Sequence, residues 1–174
     1  MAKKSTRRRR QPPPQFSIVG ELYDELENDL MKDLLELPPR SEVSLYFDTS
    51  GGSVYSALAI VALLRHRKLR ATGIVLGECS SAAVLVFAAC VKRFVTPHSV
   101  LLFHRVRWRT EKDMRREEAA NWASHFEWLE REVDRYQAEL FGRGQEEMQK
   151  WIEESRFVLG PELVKLGVAE LLDV

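Results

Sequence analysis

The chain has 174 residues, of which 45% are hydrophobic, and its 26 lysine and arginine residues balance 26 aspartate and glutamate residues. This length and composition predict one domain with a buried core. Six cationic side chains and no acid lie in residues 1–10, so the rest of the chain carries a net charge of −6. An acidic body argues against a broad nucleic-acid-binding surface, and the apolar runs are too short to span a membrane.

Residues 1–15, basic and then proline-rich, are expected to be a disordered tail, and residues 16–174 are expected to form the domain. Short apolar runs predict strands over residues 16–19, 43–47, 70–76, 94–95, 100–103 and 168–174. Helical spacing of apolar residues predicts helices over residues 21–37, 53–66, 81–90, 110–141, 146–154 and 161–166. Because strands alternate with helices, we expect a largely parallel α/β core with the long charged helix 110–141 as an appendage.

The two cysteines, Cys79 and Cys90, lie in apolar segments. Two cysteines do not make a disulfide framework, and their spacing is not that of a metal site, so we expect reduced thiols in a cytoplasmic protein. The basic start is followed by Gln11 and three prolines rather than by an apolar segment, so no signal peptide is expected. The sequence contains no phosphate-binding loop, dinucleotide fingerprint or metal-ligand spacing, so we expect no cofactor and no metal.

Three turns carry groups suited to acyl transfer. Gly51 and Gly52 follow one strand, Ser81 lies between an apolar strand and an apolar helix, and His104 ends a later strand. A serine hydroxyl becomes nucleophilic when a neighbouring base takes its proton, and glycine turns and helix starts present backbone N–H groups to a developing oxyanion. Taken alone, each segment has an ordinary structural interpretation as a tight turn, a helix cap or a strand end. In this order, the three together predict a serine hydrolase.

The same segments resemble the family of Clp protease proteolytic subunits. That family has a strand ending in Asn-Ser-Pro-Gly-Gly-Ser, a Gly-x-Ala-x-Ser-Met turn and a strand of the form Val-Met-Ile-His. The matching stretches of this chain are Ile18–Leu22, Asp48–Ser53, Gly77–Ala82, Leu101–His104, Arg156–Glu162 and Leu166–Val168. The resemblance runs from about Phe16 to Asp173 and implies a ClpP/crotonase-like α/β fold of repeated β-β-α units with a protruding handle helix.

The resemblance also implies roles for individual residues. Ser81 would be the nucleophile and His104 the general base, and the N–H groups of Gly52 and Ala82 would form the oxyanion hole. It implies self-association into rings, as a heptamer or as stacked rings, that enclose a chamber in which peptides or unfolded proteins are cleaved. A Clp-type ATPase would be a partner. The Arg- and Pro-rich start has no counterpart of the family's axial loop, so ATPase coupling stays open.

One departure from the family concerns the triad acid. Ser155 stands where the family has an aspartate, and a serine carries no charge to stabilise an imidazolium. Losing that carboxylate costs on the order of 10⁴ in rate in a chymotrypsin-type triad. Three interpretations stay open: a weak Ser81–His104 dyad, an enzyme that uses Glu154 as a substitute acid, and a non-catalytic ring subunit or scaffold.

Three smaller questions stay open as well. The segment Arg105–Arg109 replaces a glycine-rich stretch and is either a surface for acidic peptides or carboxylates, or an ion-paired edge. Crotonase-type acyl-CoA chemistry shares the fold and the oxyanion hole but does not need a Ser-His pair. Nucleic-acid binding by the basic tail would be steeply salt-dependent.

Overall fold

The structure is a computed structural model and describes residues 12–108 and 113–172. Most of the expected tail therefore lies outside the described residues. The strands in the described ranges are β1 (Gln15–Leu22), β2 (Glu42–Gly52), β3 (Arg70–Ser80), β4 (Lys92–Val95), β5 (Val100–Leu102), β6 (Phe157–Leu159) and β7 (Glu170–Leu171). The helices are α1 (Asp24–Glu36), α2 (Val54–His66), α3 (Ala83–Ala88), α4 (Arg116–Phe141), α5 (Gln145–Glu153) and α6 (Gly160–Lys165).

The strands form one sheet in the order β1-β2-β3-β4-β7, and β5 pairs with both β3 and β6. Each of these pairs is parallel except β5–β6, which is antiparallel. Strand β3 changes partner along its length: residues 72–75 pair with β4, and residues 78–80 pair with β5. This change of partner brings the end of β5 beside the turn that follows β3, which positions the site.

The core lies where α2 and α3 pack against the sheet. Phe47 of β2 and Phe87 of α3 meet edge to face with ring centroids 5.7 Å apart, and both are fully buried. Parallel strands that are covered on their faces consist of apolar runs rather than strict alternation, which is why the short apolar runs were recognisable as strands. Ser53, expected to cap α2, accepts a hydrogen bond from the Ser56 N–H at 3.2 Å.

The long helix α4 begins at Arg116 rather than near residue 110, because Arg115 is in an extended conformation. Residues 109–112 lie outside the described ranges. The buried residues of α4 all lie in its C-terminal half: Leu129, Val133, Gln137, Ala138 and Phe141. This half fixes the helix to the body, while the other half keeps Trp122 exposed.

Two further features differ from expectation. Strands β2 and β3 run past their apolar segments into the glycine turn and up to Ser80, and β6 was not expected from the sequence. Strand β6 has only three residues and owes its extended form to pairing with β5.

Within residues 12–108 and 113–172, none of the helices has the length and apolar character needed to cross a membrane.

Candidate active site

A cavity of about 670 Å³ opens at the ends of β2, β3 and β5. Four of the five predicted site residues line it: Gly52, Ser81, Ala82 and His104. The remaining wall comes from β1, the start of α2, α3, the segment after β5 and α4. The three turns singled out in the sequence therefore meet in space, although more than fifty residues separate the first from the last.

Ser81 adopts a left-handed backbone conformation, with φ of 56°. Its N–H donates to the Leu102 carbonyl at 2.9 Å, so β5 holds this turn in place. A serine at positive φ is uncommon, and such conformations cluster at functional sites because the surrounding structure must enforce them. The turn leaves the Ser81 side chain partly exposed at the cavity wall.

The two neighbouring serines differ in their surroundings. Ser80 is 1% exposed, and its hydroxyl donates to Glu78 Oε1 at 2.5 Å. Ala82 is the N-cap of α3, and no side chain caps that helix. The helix-cap interpretation of the Ser80–Ser81 pair is therefore wrong for both residues. Of the two hydroxyls, that of Ser81 is the one at the cavity.

The turns after β2 and β3 are fastened by polar side chains. Asp48 Oδ1 accepts a hydrogen bond from the Glu78 N–H at 3.1 Å, which ties the end of β2 to the end of β3. The Thr49 hydroxyl donates to the Gly20 carbonyl and accepts from the Gly51 N–H at 3.1 Å. These bonds fix the glycine turn relative to the Ser81 turn, which preorganises the backbone for an incoming charge.

His104 follows β5, and its Nδ1 lies 2.6 Å from the carbonyl oxygen of Arg105. A carbonyl oxygen only accepts, so we assign the proton to Nδ1, which leaves the Nε2 lone pair free in the neutral ring. A free lone pair is what a general base needs. Among the described residues, no hydrogen bond joins His104 to the Ser81 hydroxyl; in unliganded enzymes such bonds are often long and shorten when substrate binds.

The position of the missing acid follows from strand register. Leu102 pairs with Phe157, and the Phe103 N–H donates to the Arg156 carbonyl at 3.0 Å, so the chain just before β6 runs beside the chain just after β5. Ser155, the residue before Arg156, lies in the turn between α5 and β6 with φ of 49°, is exposed and does not line the cavity. Glu154 is exposed, lies 4.0 Å from Lys150 Nζ, and does not line the cavity. The structure does not bring this expected substitute acid to the site.

A model of the Clp protease family matches residues 14–172. The chain belongs to the Clp protease family. It is 26% identical over 160 residues, 89% of this chain and 81% of the relative, to a protein of Pleurastrum terricola named ATP-dependent Clp protease proteolytic subunit. A protein with that name from Streptococcus suis is 24% identical over 90% of this chain and 83% of its own length. Another from Streptococcus sanguinis is 25% identical over 86% of this chain and 79% of its own length. This membership confirms the resemblance, the α/β fold class and the assignment to a protease family.

Asp134 of this Clp protease family member also lines the cavity, and sequence reasoning missed it. Burial, assisted by Glu130 and Glu153 and opposed by Arg105, raises the pKa of its carboxyl from 3.8 to about 6. Its neighbours Val133 and Gln137 line the cavity too. In the sequence it is one acid among many on a charged helix, so no local signal distinguishes it.

The thiols do not compete with Ser81 for the role of nucleophile. Cys79 and Cys90 are both buried, and burial raises the pKa of Cys79 well above its ordinary value and that of Cys90 to about 12. Buried thiols of raised pKa are not ionised at neutral pH and react slowly.

The other histidines lie away from the cavity lining: His66, His98 and His125. Across residues 12–108 and 113–172, no group of three or more His, Cys, Asp and Glu side chains is arranged to hold a metal.

Proposed function

We propose that this protein is a Clp-type serine endopeptidase with Ser81 as nucleophile and His104 as general base. The observation that carries the proposal is the shared cavity, in which the left-handed Ser81 turn meets His104 and the glycine turn. A fold of this family without such a meeting point would support only a structural role.

The arrangement supports a two-step hydrolysis. His104 Nε2 takes the Ser81 hydroxyl proton as Oγ attacks the peptide carbonyl carbon, and the N–H groups of Gly52 and Ala82 donate to the resulting oxyanion. The imidazolium then gives its proton to the leaving amine. A water molecule, deprotonated by the same imidazole, attacks the acyl-enzyme and releases the second product and the free Ser81 hydroxyl.

Substrates and assembly follow from the relatives and from α4. The relatives are named proteolytic subunits of an ATP-dependent protease, so we propose peptides and unfolded proteins as substrates and a ring of copies, heptameric or stacked, as the assembly. Trp122 and Trp128 are exposed on the half of α4 that buries no residue in the described chain, and copies of a ring would cover them. A Clp-type ATPase partner and a cytoplasmic location complete the proposal.

The second candidate is a non-catalytic ring subunit. It is favoured by Ser155, which stands at the family's acid position and leaves the imidazole without the usual carboxylate. A subunit of this kind would assemble normally and contribute no hydrolysis, and an active partner subunit would supply the chemistry.

Labelling with a fluorophosphonate separates the two candidates. Mass spectrometry should find the adduct on Ser81 in the wild type and in the matched variant Ser80→Ala, and should find none in Ser81→Ala. Hydrolysis of a fluorogenic peptide should follow the same pattern. If assembled wild-type protein is neither labelled nor active, the endopeptidase proposal is wrong and the scaffold is favoured.

A further inference from the structure

We propose that Asp134, on α4, supplies the negative charge that stabilises the imidazolium of His104, in place of a carboxylate at Ser155. Asp134 is then a positioning residue that acts through His104. The inference rests on the proposed function, and its basis is that Asp134, His104 and Ser81 line one cavity.

A negative charge would help at this site because cationic side chains close to His104 disfavour the protonated, positively charged form of its ring. Arg107 lines the cavity, and Arg105 is the next residue after His104. The Arg105 carbonyl sets the proton on Nδ1 but brings only a dipole. When the Ser81 proton moves to Nε2, a full positive charge appears in a cavity that Arg107 already lines, and a carboxylate would offset that repulsion.

The other carboxylates near this end of the sheet are less suitable. Glu153 is exposed and bound to Arg105 at 2.8 Å, and Glu154 lies beside Lys150. Glu21, the other acid of the cavity lining, is exposed and pairs in register with Gly51. It therefore lies on the oxyanion side of Ser81, where a negative charge would oppose the reaction.

Asp134 lies within electrostatic reach of Arg105, in the segment that begins at His104, and lines the same cavity as His104. The groups that act on its charge are Arg105, which directly follows His104, Glu153, two residues before Ser155, and Glu130, one turn earlier on α4. Among the described residues, Asp134 forms no ion pair or hydrogen bond that would explain a half-buried carboxyl. Buried Val133 and Gln137 line the same cavity and hold α4 at this point, so the Asp134 carboxyl is kept at the cavity wall.

The decisive experiment removes the charge from Asp134 and restores one at Ser155. Asp134→Asn should lower kcat for a fluorogenic peptide by on the order of 10²–10⁴ with KM within about threefold, since the carboxylate acts on the transition state. Asp134→Asn combined with Ser155→Asp should regain kcat to within about tenfold of the Ser155→Asp single variant, because an aspartate at the family's acid position makes Asp134 dispensable. Glu132→Gln, on the C-terminal half of the same helix, is the matched control, because its side chain is 42% exposed and does not line the cavity, and it should match the wild type.

Each other result overturns the inference. Unchanged kcat in Asp134→Asn, a change confined to KM, or a double variant that stays inactive while Ser155→Asp alone is active would each show that Asp134 does something else. An inactive wild type with an active Ser155→Asp variant would show that the native chain has no working acid while the Ser81–His104 site stands. If Ser155→Asp is inactive too and Ser81 is never labelled, the proposed function fails as well. Circular dichroism and light scattering confirm that each variant is folded and assembled.

Discussion

Gly51 approaches Ser81 so closely that a Cβ added at residue 51 would lie 2.6 Å from the Ser81 Cβ and 2.6 Å from the Ser80 carbonyl oxygen. The φ of Gly51 is 98°, a conformation that side chains rarely adopt. The glycine turn and the serine turn are therefore one packed unit. The absence of a side chain at residue 51 allows the backbone of the glycine turn to pack directly against Ser81.

Gly51→Ala should lower the free energy of unfolding by about 2 kcal/mol or more, because the new methyl group meets backbone atoms at a strained φ. It should also slow fluorophosphonate labelling of Ser81, since one turn must shift away from the other. Urea denaturation and labelling rates test both effects. Gly144→Ala is the matched control, because a Cβ there meets nothing within 4 Å. Equal stability of the two variants would contradict the packing of the turns.

The thiols should be inert in the folded protein. Burial raises the pKa of Cys79 and Cys90, so little thiolate exists at pH 8 and neither sulfur is accessible. Mass spectrometry should show that iodoacetamide leaves the native protein unmodified and alkylates both cysteines in urea. Peptide hydrolysis should survive the native treatment. Rapid native alkylation of Cys79, with loss of activity, would instead point to a thiol in the site.

The charge of Asp134 should make stability depend on pH. The pKa of Asp134 is raised to about 6 in the folded protein. Between about pH 4 and pH 6 this carboxyl therefore binds more protons in the folded state than in the unfolded chain. Its contribution to the free energy of unfolding falls as pH rises through this range. Above pH 6 the ionised carboxyl lowers the free energy of unfolding, and below pH 4 this destabilisation is absent. The charged groups that face the Asp134 carboxyl are Glu130, Glu153 and Arg105. They are the same in the wild type and in the Asp134→Asn variant.

Asp134→Asn should therefore be more stable than the wild type at pH 8, by on the order of 1 kcal/mol because solvent screens this partly exposed group. The difference should shrink towards zero at pH 4. Urea denaturation at the two pH values measures it, and Glu127→Gln should show no such trend. A variant that is less stable than the wild type at pH 8 would mean that Asp134 has a favourable partner in the assembled protein.

The exposed half of α4 should carry contacts between copies. Trp128 is 51% exposed, so Trp128→Ser should leave the thermal midpoint of the subunit nearly unchanged and should lower the mass of the assembly measured by light scattering. Leu35→Ser on α1, also at 51% exposure, is the control and should assemble as the wild type does. Equal masses for wild type and Trp128→Ser would remove α4 from the proposed ring contacts.

Local pattern was sufficient for much of this protein. The alternation of apolar strands and helices predicted a parallel α/β core, and Ser53 predicted the start of α2, because periodicity and capping depend on residues only a few positions apart. The ordered motifs at Gly52, Ser81 and His104 selected residues that the structure brings to one cavity. Their chemical roles remain proposals that labelling will test.

Packing over long distances decided the rest. Strand β6 exists because β5 offers it a partner, and Ser80 is distinguished from Ser81 by burial and a hydrogen bond to Glu78. Asp134 reaches the cavity only because α4 packs against α3 and α5. In the sequence, Asp134 looks like the other acids of its helix, and Glu154 looks like a better substitute for the acid at residue 155. Which carboxylate reaches the cavity depends on how a helix some thirty residues beyond His104 docks, and local propensity carries no information about that.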